Sequence, residues 1–345
     1  MTQLAVALRT ASGHCLLPTA FMPLSLSIVI VTYNSAEVIR DCLASIPAGW
    51  DSQNDDGRQT TDERPSHFVH RPSSAVETIV VDNGSTDGTV EIIRSEFPSV
   101  RLFSGHGNLM FAGGNNYGFK QATAPLIFML NPDTVVHPGA LSELVEFADA
   151  HPEAGMIAPR VINPDGSLQH NTFHFPDLKQ AFFGFFEKLV ALNSPLNGRY
   201  LPEDYARIRE AEHILGAALL FRRELYNQLP GMDEKFGIYF EETDWCYRAR
   251  RAGWKLLYTP DAVITHLGAH STSKNPEKSS AQFYKSQSYF YRKNYGLLKH
   301  AALKGITAVG LLYWTARTAK GWLTGKITYK KLKVRLWSYW EILSA

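Results

Sequence analysis

Short apolar runs, each broken by a polar turn and followed by apolar residues at helical spacing, recur along the first 130 positions of the chain. Leu26–Val31 (LSIVIV) is β-branched and continuous, the pattern of a strand buried on both faces. Thr32-Tyr33-Asn34-Ser35 interrupts it, and Ser35 is placed to cap a helix carrying Val38, Ile39, Cys42, Leu43 and Ile46. A second run, Glu77–Val81, stops at Asp82-Asn83-Gly84-Ser85, and Ser85 or Thr86 leads into a helix from Thr89 to Phe97. Val100–Phe103 and Pro125–Leu130 continue the rhythm, the latter ending at Asn131-Pro132-Asp133. Strands alternating with helices predict an α/β fold with a mostly parallel sheet built from right-handed crossovers. Ligands of such sheets bind where the strands stop, so these polar tripeptides are the first candidates for chemistry.

Between these elements lie two segments of different character. Pro47–Ser74 is rich in Asp, Gln, Ser, Arg and Pro without apolar periodicity, which predicts an inserted surface loop. Gly105–Gly118 (GHGNLMFAGGNNYG) combines five glycines with three asparagines, which predicts a ligand loop whose backbone amides approach a phosphate or sugar. No GxxxxGK[ST] or strand-linked GxGxxG occurs, so ATPase-type and dinucleotide cradles are excluded.

Each candidate has a plain structural counterpart. Asp82 can accept hydrogen bonds from a nucleobase or ribose beside the flat face of Tyr33, or it can simply organise a turn and helix cap. Asp133 suits a hard divalent cation, although Asn-Pro-Asp is also a common turn. In Gly231–Trp254, the aromatics Phe236, Tyr239 and Phe240 precede Glu241-Glu242-Thr243-Asp244 at the head of a helix holding Trp245 and Tyr247. Acids favour helix N-termini, yet aromatic packing around them raises their pKa and suits a general base. His266 follows the apolar run Ala262–Ile264 and reads as a strand-end ligand, whereas His270 reads as an ordinary histidine.

Taken together, these segments resemble the family 2 glycosyltransferases of the GT-A fold, in the bacterial rhamnosyltransferase-like branch. SIVIVTYNS, IVVDNGSTDGT, FAGGNNYG, LNPD, GMDEKF…YFEETDWCYRARRAGW and HLGAHS match its motifs in order from about Leu26 to Ser273. The resemblance implies an inverting, metal-dependent transfer of a sugar from a nucleoside-diphosphate sugar to a glycan or lipid-linked hydroxyl in surface polysaccharide synthesis. A dTDP- or UDP-sugar is the implied donor class, with rhamnose as the sugar. Thr32, Tyr33, Asn34, Asp82 and Asn83 would hold the nucleoside, with Gly113, Gly114, Asn115, Asn131 and Glu241 completing the donor site. Asp133 and His266 would ligate Mg²⁺ or Mn²⁺. Glu242 stands where the family has the acceptor-deprotonating Asp, two residues before Asp244, and either acid fits that role. A sugar-phosphate nucleotidyltransferase is the alternative enzyme, but it would carry a Gly-rich, Arg-bearing loop after the first strand, where Thr32-Tyr33-Asn34-Ser35 stands. The other alternative is a non-catalytic, membrane-docked sugar-nucleotide-binding protein.

Composition changes the picture only at the C-terminus. Of the 345 residues, 35 are Lys or Arg and 33 are Asp or Glu, a net charge of +2. Arg292–Ala345 holds eleven of the bases and one acid, so a body of net −8 carries a tail of net +10. Nucleic-acid binding by the whole chain is thereby disfavoured, while an anionic membrane surface fits the tail. Its longest charge-free stretch near the apolar peak, Gly305–Ala316, is 12 residues, short of the roughly 20 needed to cross a bilayer. Trp314, Trp322, Trp337 and Trp340 with interspersed Lys and Arg predict amphipathic helices at the inner face of the plasma membrane. A chain ended after Tyr291 would then keep its fold. The three cysteines, Cys15, Cys42 and Cys246, lack ligand spacing and indicate reduced thiols in the cytoplasm. The organisation expected is a leader at 1–23, a GT-A domain at 24–275 with the loop at 47–74, and a helical basic region at 276–345.

Overall fold

The computed structural model describes residues 24–50, 76–186, 189, 194–268 and 276–344. The leader, most of the predicted insertion and His270 lie outside them.

The apolar runs form strands as expected. β1 (Leu26–Thr32) pairs in parallel with β2 (Val76–Asp82) on one side and β4 (Leu126–Leu130) on the other, and β3 (Arg101–Phe103) lies beyond β2. Alternate residues of β1 face opposite layers. Leu26, Ile28 and Ile30 pack against α1 (Ile39–Trp50) and α4 (Ala140–Ala150). Val29, with Ile79 and Val81 of β2, packs against α3 (Met110–Gln121). Burial on both faces is why these strands read as unbroken apolar runs.

The second half of the sheet has a different grammar. β10 (Ala218–Arg222) inserts antiparallel between β4 and β6 (Ala154–Ile162), and β11 (Lys255–His266) runs parallel to β6. β5 (Thr134–Val136) closes the edge antiparallel to β11, and β8 (Arg209–Glu210) adds a short pair with β11. The path β3-β2-β1-β4-β10-β6-β11-β5 is therefore parallel at one end and mixed at the other. A separate two-stranded ribbon joins β7 (Thr172–Phe173) to β9 (His213–Ile214).

Three local expectations are corrected. α1 continues through Pro47 to a buried Trp50, because Gly49 and Trp50 are needed against Val136, Leu141 and Ser142. The insertion therefore does not begin at Pro47. α2 (Thr89–Glu96) starts at Gly88 with φ of 90°, and Asp87 rather than Ser85 or Thr86 accepts the Thr89 amide. The Gly-rich segment is helical from Met110, not a loop. A Cβ at Gly114 would lie 2.8 Å from Val31 Cγ1, and one at Gly118 would overlap Val29, so these glycines let α3 lie close on the sheet.

Beyond the sheet, α8 (Pro276–Phe290) passes through a π-helical turn at Tyr291–Tyr295 into the 28-residue α9 (Gly296–Leu323) and then α10 (Tyr329–Ser344). These helices are helical as expected but are packed into the molecule. Phe290, Tyr291 and Leu303 share a core with Phe236 and Phe240. Trp314 stacks near Phe185 of α5 (Leu178–Phe185) and donates from Nε1 to its carbonyl at 3.1 Å. Because Lys293 and Asn294 also bind the buried Asp244 carboxylate, ending the chain after Tyr291 would strip that charge of two partners. This packing argues against the expectation that such a chain keeps its fold.

The helix–helix seam makes a direct prediction. A Cβ at Gly310 would collide with the Phe185 ring, whereas one at Gly305 meets nothing within 4 Å. Gly310→Ala is expected to destabilise by about 1–3 kcal/mol through overpacking, and Gly305→Ala to stabilise by about 0.5–1 kcal/mol through helix propensity. Urea unfolding of the two variants checks the opposite signs.

Candidate functional site

The carboxyl ends of β1, β2 and β4 lie side by side, with Thr32 in register with Asp82. Asp82 is buried and fully engaged. Its Oδ1 accepts from Thr32 Oγ1 at 3.1 Å and its Oδ2 from the amides of Gly84 and Ser85 at 3.0 and 3.1 Å. Asn34, with φ of 52°, accepts the Thr86 amide, and Ser85 Oγ accepts the Asn34 amide. Asn83 Nδ2 donates to the Met110 carbonyl at 3.0 Å. This lattice of hydrogen bonds fixes two strand ends against each other and leaves Tyr33 half exposed beside them. Gly113, Gly114 and Asn115 lie behind it on buried parts of α3, where Asn115 donates to the Phe111 carbonyl.

The second cluster forms where β4 ends and β11 ends. Pairing of His266 with Thr134, together with the Leu267 amide donating to the Asp133 carbonyl, sets the histidine beside the aspartate. His266 Nε2 is 3.3 Å from Asp133 Oδ1 and 3.4 Å from Asn131 Nδ2. Its other nitrogen, Nδ1, is 2.6 Å from Gln169 Oε1. Gln169 Nε2 already donates to Asn163 Oδ1 and to the His266 carbonyl, so its oxygen must accept and Nδ1 must carry the proton. In the neutral ring the Nε2 lone pair then points toward a carboxylate oxygen. This is the tautomer and donor set of a hard-cation site that uses one carboxylate, one imidazole and substrate oxygens. The residues fit a divalent ion on those grounds, although no group of three His, Cys, Asp or Glu side chains converges among the described residues. Gln169 was not legible in the sequence.

The third cluster heads α7 (Glu241–Arg251). Tyr239 and Phe240 both take left-handed backbone conformations, with φ of 69° and 70°, costly for bulky residues. Hydrogen bonds from α8 hold the turn in place. Gln282 and Ser286 donate to the Phe236 carbonyl, and Ser286 also to that of Ile238. The two following acids are then driven inward. Glu241 and Glu242 each bury an Oε2 without a hydrogen-bond partner among the described residues. Burial pushes the Glu241 carboxyl well above the usual carboxylate range, and the neighbouring Glu242 charge adds to it. Burial also raises Glu242, partly offset by the amides of Glu242, Gly216 and Thr243. Glu242 nevertheless faces a cavity of about 690 Å³, walled by Phe173, Tyr239, Phe240, Phe283 and Tyr284.

Asp244 has the opposite environment. It is fully buried, and its Oδ2 receives Arg248 Nε at 2.8 Å and Lys293 Nζ at 2.9 Å. Asn294 Nδ2 donates to its Oδ1 at 2.9 Å. Lys293 also bridges to Asp233 Oδ2 at 2.7 Å. Of the two acids read as equivalent in sequence, one is neutralised by cations and the other opens on a cavity. Cys42 and Cys246 are buried thiols pushed up to about 12 by burial, and neither joins the site.

With this geometry in place, the comparisons fix the class. The model for glycosyl transferase family 2 matches residues 27–229. The chain belongs to that family, which sets aside the nucleotidyltransferase and non-catalytic readings. Among curated proteins it is similar to an N-acetylglucosaminyl-diphospho-decaprenol L-rhamnosyltransferase of Mycobacterium tuberculosis, 29% identical over 77% of this chain and 83% of that protein. It also matches the low-salt glycan biosynthesis hexosyltransferase Agl10 of Haloferax volcanii, 24% identical over 66% of this chain and 62% of that one. Two solved structures share the fold at a TM-score of 0.51. One is the mannosyltransferase PcManGT of Pyrobaculum calidifontis in complex with GDP-Man and Mn²⁺, 16% identical over 93% of this chain and 87% of that chain. The other is residues 1–349 of S. aureus TarS in complex with UDP-GlcNAc, 17% identical over 93% and 82%. The molecule is thus a glycosyltransferase of the GT-A fold, with the mostly parallel sheet flanked by helices that the sequence indicated.

The raised carboxyl of Glu241 has a consequence for stability. Below its ordinary value of 4.5 the group is protonated in both folded and unfolded chains. As pH rises beyond that value, the unfolded chain releases a proton that the folded one retains, so stability falls toward the raised folded value. Glu241→Gln is therefore expected to raise the melting temperature more at pH 8 than at pH 5. Equal gains at both pH values would contradict the assignment.

Proposed function

We propose that the chain is an inverting, metal-dependent glycosyltransferase that moves rhamnose from a dTDP-sugar, or a hexose from a UDP-sugar, to a hydroxyl of a lipid-linked saccharide in surface polysaccharide synthesis. The observation that carries the reading is the division between the two acids, with Glu242 half-buried, raised in pKa and open to a cavity while Asp244 is neutralised by Lys293 and Arg248. Glu242 is the general base. Its carboxylate takes the proton of the acceptor hydroxyl as that oxygen forms a bond to the anomeric carbon from the face opposite the nucleotide. The bond from that carbon to the diphosphate breaks in the same displacement, which inverts the centre. A base whose pKa burial raises above the ordinary carboxylate value is a better proton acceptor than an ordinary carboxylate.

Tyr33 offers its exposed face to the nucleobase, and the Thr32–Asp82 and Asn34–Thr86 hydrogen bonds keep that face in position. Asp133 and His266 are the residues that would hold Mg²⁺ or Mn²⁺, with Asn131 alongside and Gln169 fixing the imidazole tautomer. When bound, such an ion offsets the negative charge of the leaving nucleoside diphosphate. Glu241 takes a supporting place, its protonated carboxyl limiting the charge at the head of α7.

A peripheral seat on the inner face of the plasma membrane follows from the tail. α9 exposes Leu297, Leu298, Leu312 and Leu323, and α10 exposes Trp337 and Trp340, among the Lys and Arg of the +10 segment. No helix among the described residues is long and apolar enough to cross a membrane. Such a surface favours lying in the interface, where a lipid-linked acceptor resides.

For the base, Glu242→Gln is expected to keep donor affinity while lowering kcat at least about a hundredfold. A variant with Asp244→Asn losing turnover in that selective way, while Glu242→Gln does not, would exchange the roles. For the metal, Asp133→Ala and His266→Ala are each expected to abolish the Mn²⁺-dependent part of donor binding in calorimetry. Gln169→Leu should weaken that part by about 10–100-fold, as expected for a residue that orients a ligand. Donor binding unaffected by all three changes would remove the metal from the reading.

A further inference from the structure

The cavity that receives Glu242 carries a second charge that the transfer chemistry leaves unused. Arg199 and Glu242 are the only Lys, Arg, Asp or Glu side chains among the residues lining it. The arginine is held rigidly at its root. Its backbone bridges to Phe173 beside the β7–β9 ribbon, and the preceding Gly198, with φ of +74°, accepts the His174 amide at 2.8 Å. The left-handed φ at Gly198 favours glycine there, and a Cβ would come 2.7 Å from the Gln180 side-chain end at the start of α5. The carboxylate bound to the neighbouring His174 is committed elsewhere. Glu212 pairs with His174 Nδ1 at 3.1 Å and accepts the Phe175 amide at 2.5 Å. Among the described residues, no carboxylate forms an ion pair with Arg199.

A half-buried guanidinium without a carboxylate partner among the described residues, in a cavity lined by aromatic, histidine and amide side chains, suits an anion, and its planar fork matches phosphate oxygens two at a time. The remaining walls define what else must enter. Tyr239, Phe240 and Phe283 line it with aromatic surface suited to a sugar, and Phe183 extends the apolar lining along α5. α8 supplies one wall and continues into the helices whose apolar side chains are exposed. We infer that this cavity is a binding site for the sugar and diphosphate of a lipid-linked saccharide diphosphate, with Arg199 receiving the phosphate oxygens while Glu242 meets the sugar hydroxyl. The inference rests on the transferase reading above and adds a specificity-determining residue to it. His174, neighbouring Arg199 on the same lining, is tied to Glu212 and positions the wall rather than the ligand.

The test uses the full chain, dTDP-rhamnose as donor and two acceptor probes. One is an N-acetylglucosaminyl diphosphate on a short prenyl chain, and the other is N-acetylglucosamine on a plain alkyl chain without phosphate. Arg199→Ala is expected to raise the KM for the diphosphate probe at least about tenfold, the worth of one lost charge-assisted contact, and to erase most of the enzyme's preference for it over the alkyl glycoside. The donor KM should not carry the loss, which separates the acceptor diphosphate from that of the nucleotide. Arg199→Lys should recover part of the affinity, since it keeps the charge but not the fork. A rise in donor KM, an equal loss with both probes, or no change would overturn the assignment. Calorimetry with the diphosphate probe alone makes the result independent of turnover. Binding that is at least about tenfold weaker in Arg199→Ala without any sugar transfer would uphold the site and sink the transferase reading. Absence of binding by the unaltered protein would overturn the site itself.

Discussion

A carboxylate with no exposure to solvent is the constraint on which the site depends. Asp244 sits two residues past the acid that faces the cavity, and a lone charge there would be prohibitively costly to bury. Arg248 supplies one counterion from the same helix. A second counterion, Lys293, and a neutral donor, Asn294, come from the π-helical turn that follows α8, some fifty residues downstream. Satisfying Asp244 therefore docks the C-terminal helices onto the glycosyltransferase sheet. The same docking brings Gln282 and Ser286 to the carbonyls of the Phe236–Ile238 segment and holds the left-handed Tyr239–Phe240 turn. That turn in turn aims Glu242 into the cavity. The basic tail is thus part of the site's architecture as well as a surface.

The division of labour between Glu242 and Asp244 is a case of two identical chemistries separated by surroundings. One acid is raised by burial and left with an unpartnered oxygen, and the other is surrounded by donors. Environments that differ this much let adjacent carboxylates take different tasks. At the Asp133–His266 pair a comparable economy holds. Gln169 makes no contact that would mark it in a sequence, yet its two committed donors dictate which nitrogen of His266 is free.

The strand ends were legible because a strand buried on both faces must be an unbroken apolar run, and the polar residue that stops it is conspicuous. Thr32, Asp82, Asn131 and Asp133 were found that way. The order of the motifs identified the family, which the match over 27–229 bears out. Positions whose role depends on distant partners were not legible. Glycines at 114 and 118 read as a loop because sequence does not distinguish flexibility from close approach to Val29 and Val31. Pro47 read as a boundary, although the packing of Trp50 carries the helix past it. Charge arithmetic described the tail as basic but could not reveal that Gly310 fits the Phe185 ring or that Lys293 neutralises Asp244. Those are pairwise facts between segments 49 to 125 residues apart.

The central claim, that the buried Glu242 carboxylate accepts the acceptor's proton, is tested most directly by the pH dependence of kcat/KM. The acid limb reports the ionisation of the base in the free enzyme. The account predicts an inflection above the ordinary glutamate value of 4.5, displaced in the direction that burial imposes on Glu242. An inflection within the ordinary carboxylate range, or an acid limb that persists unchanged in Glu242→Gln, would contradict it.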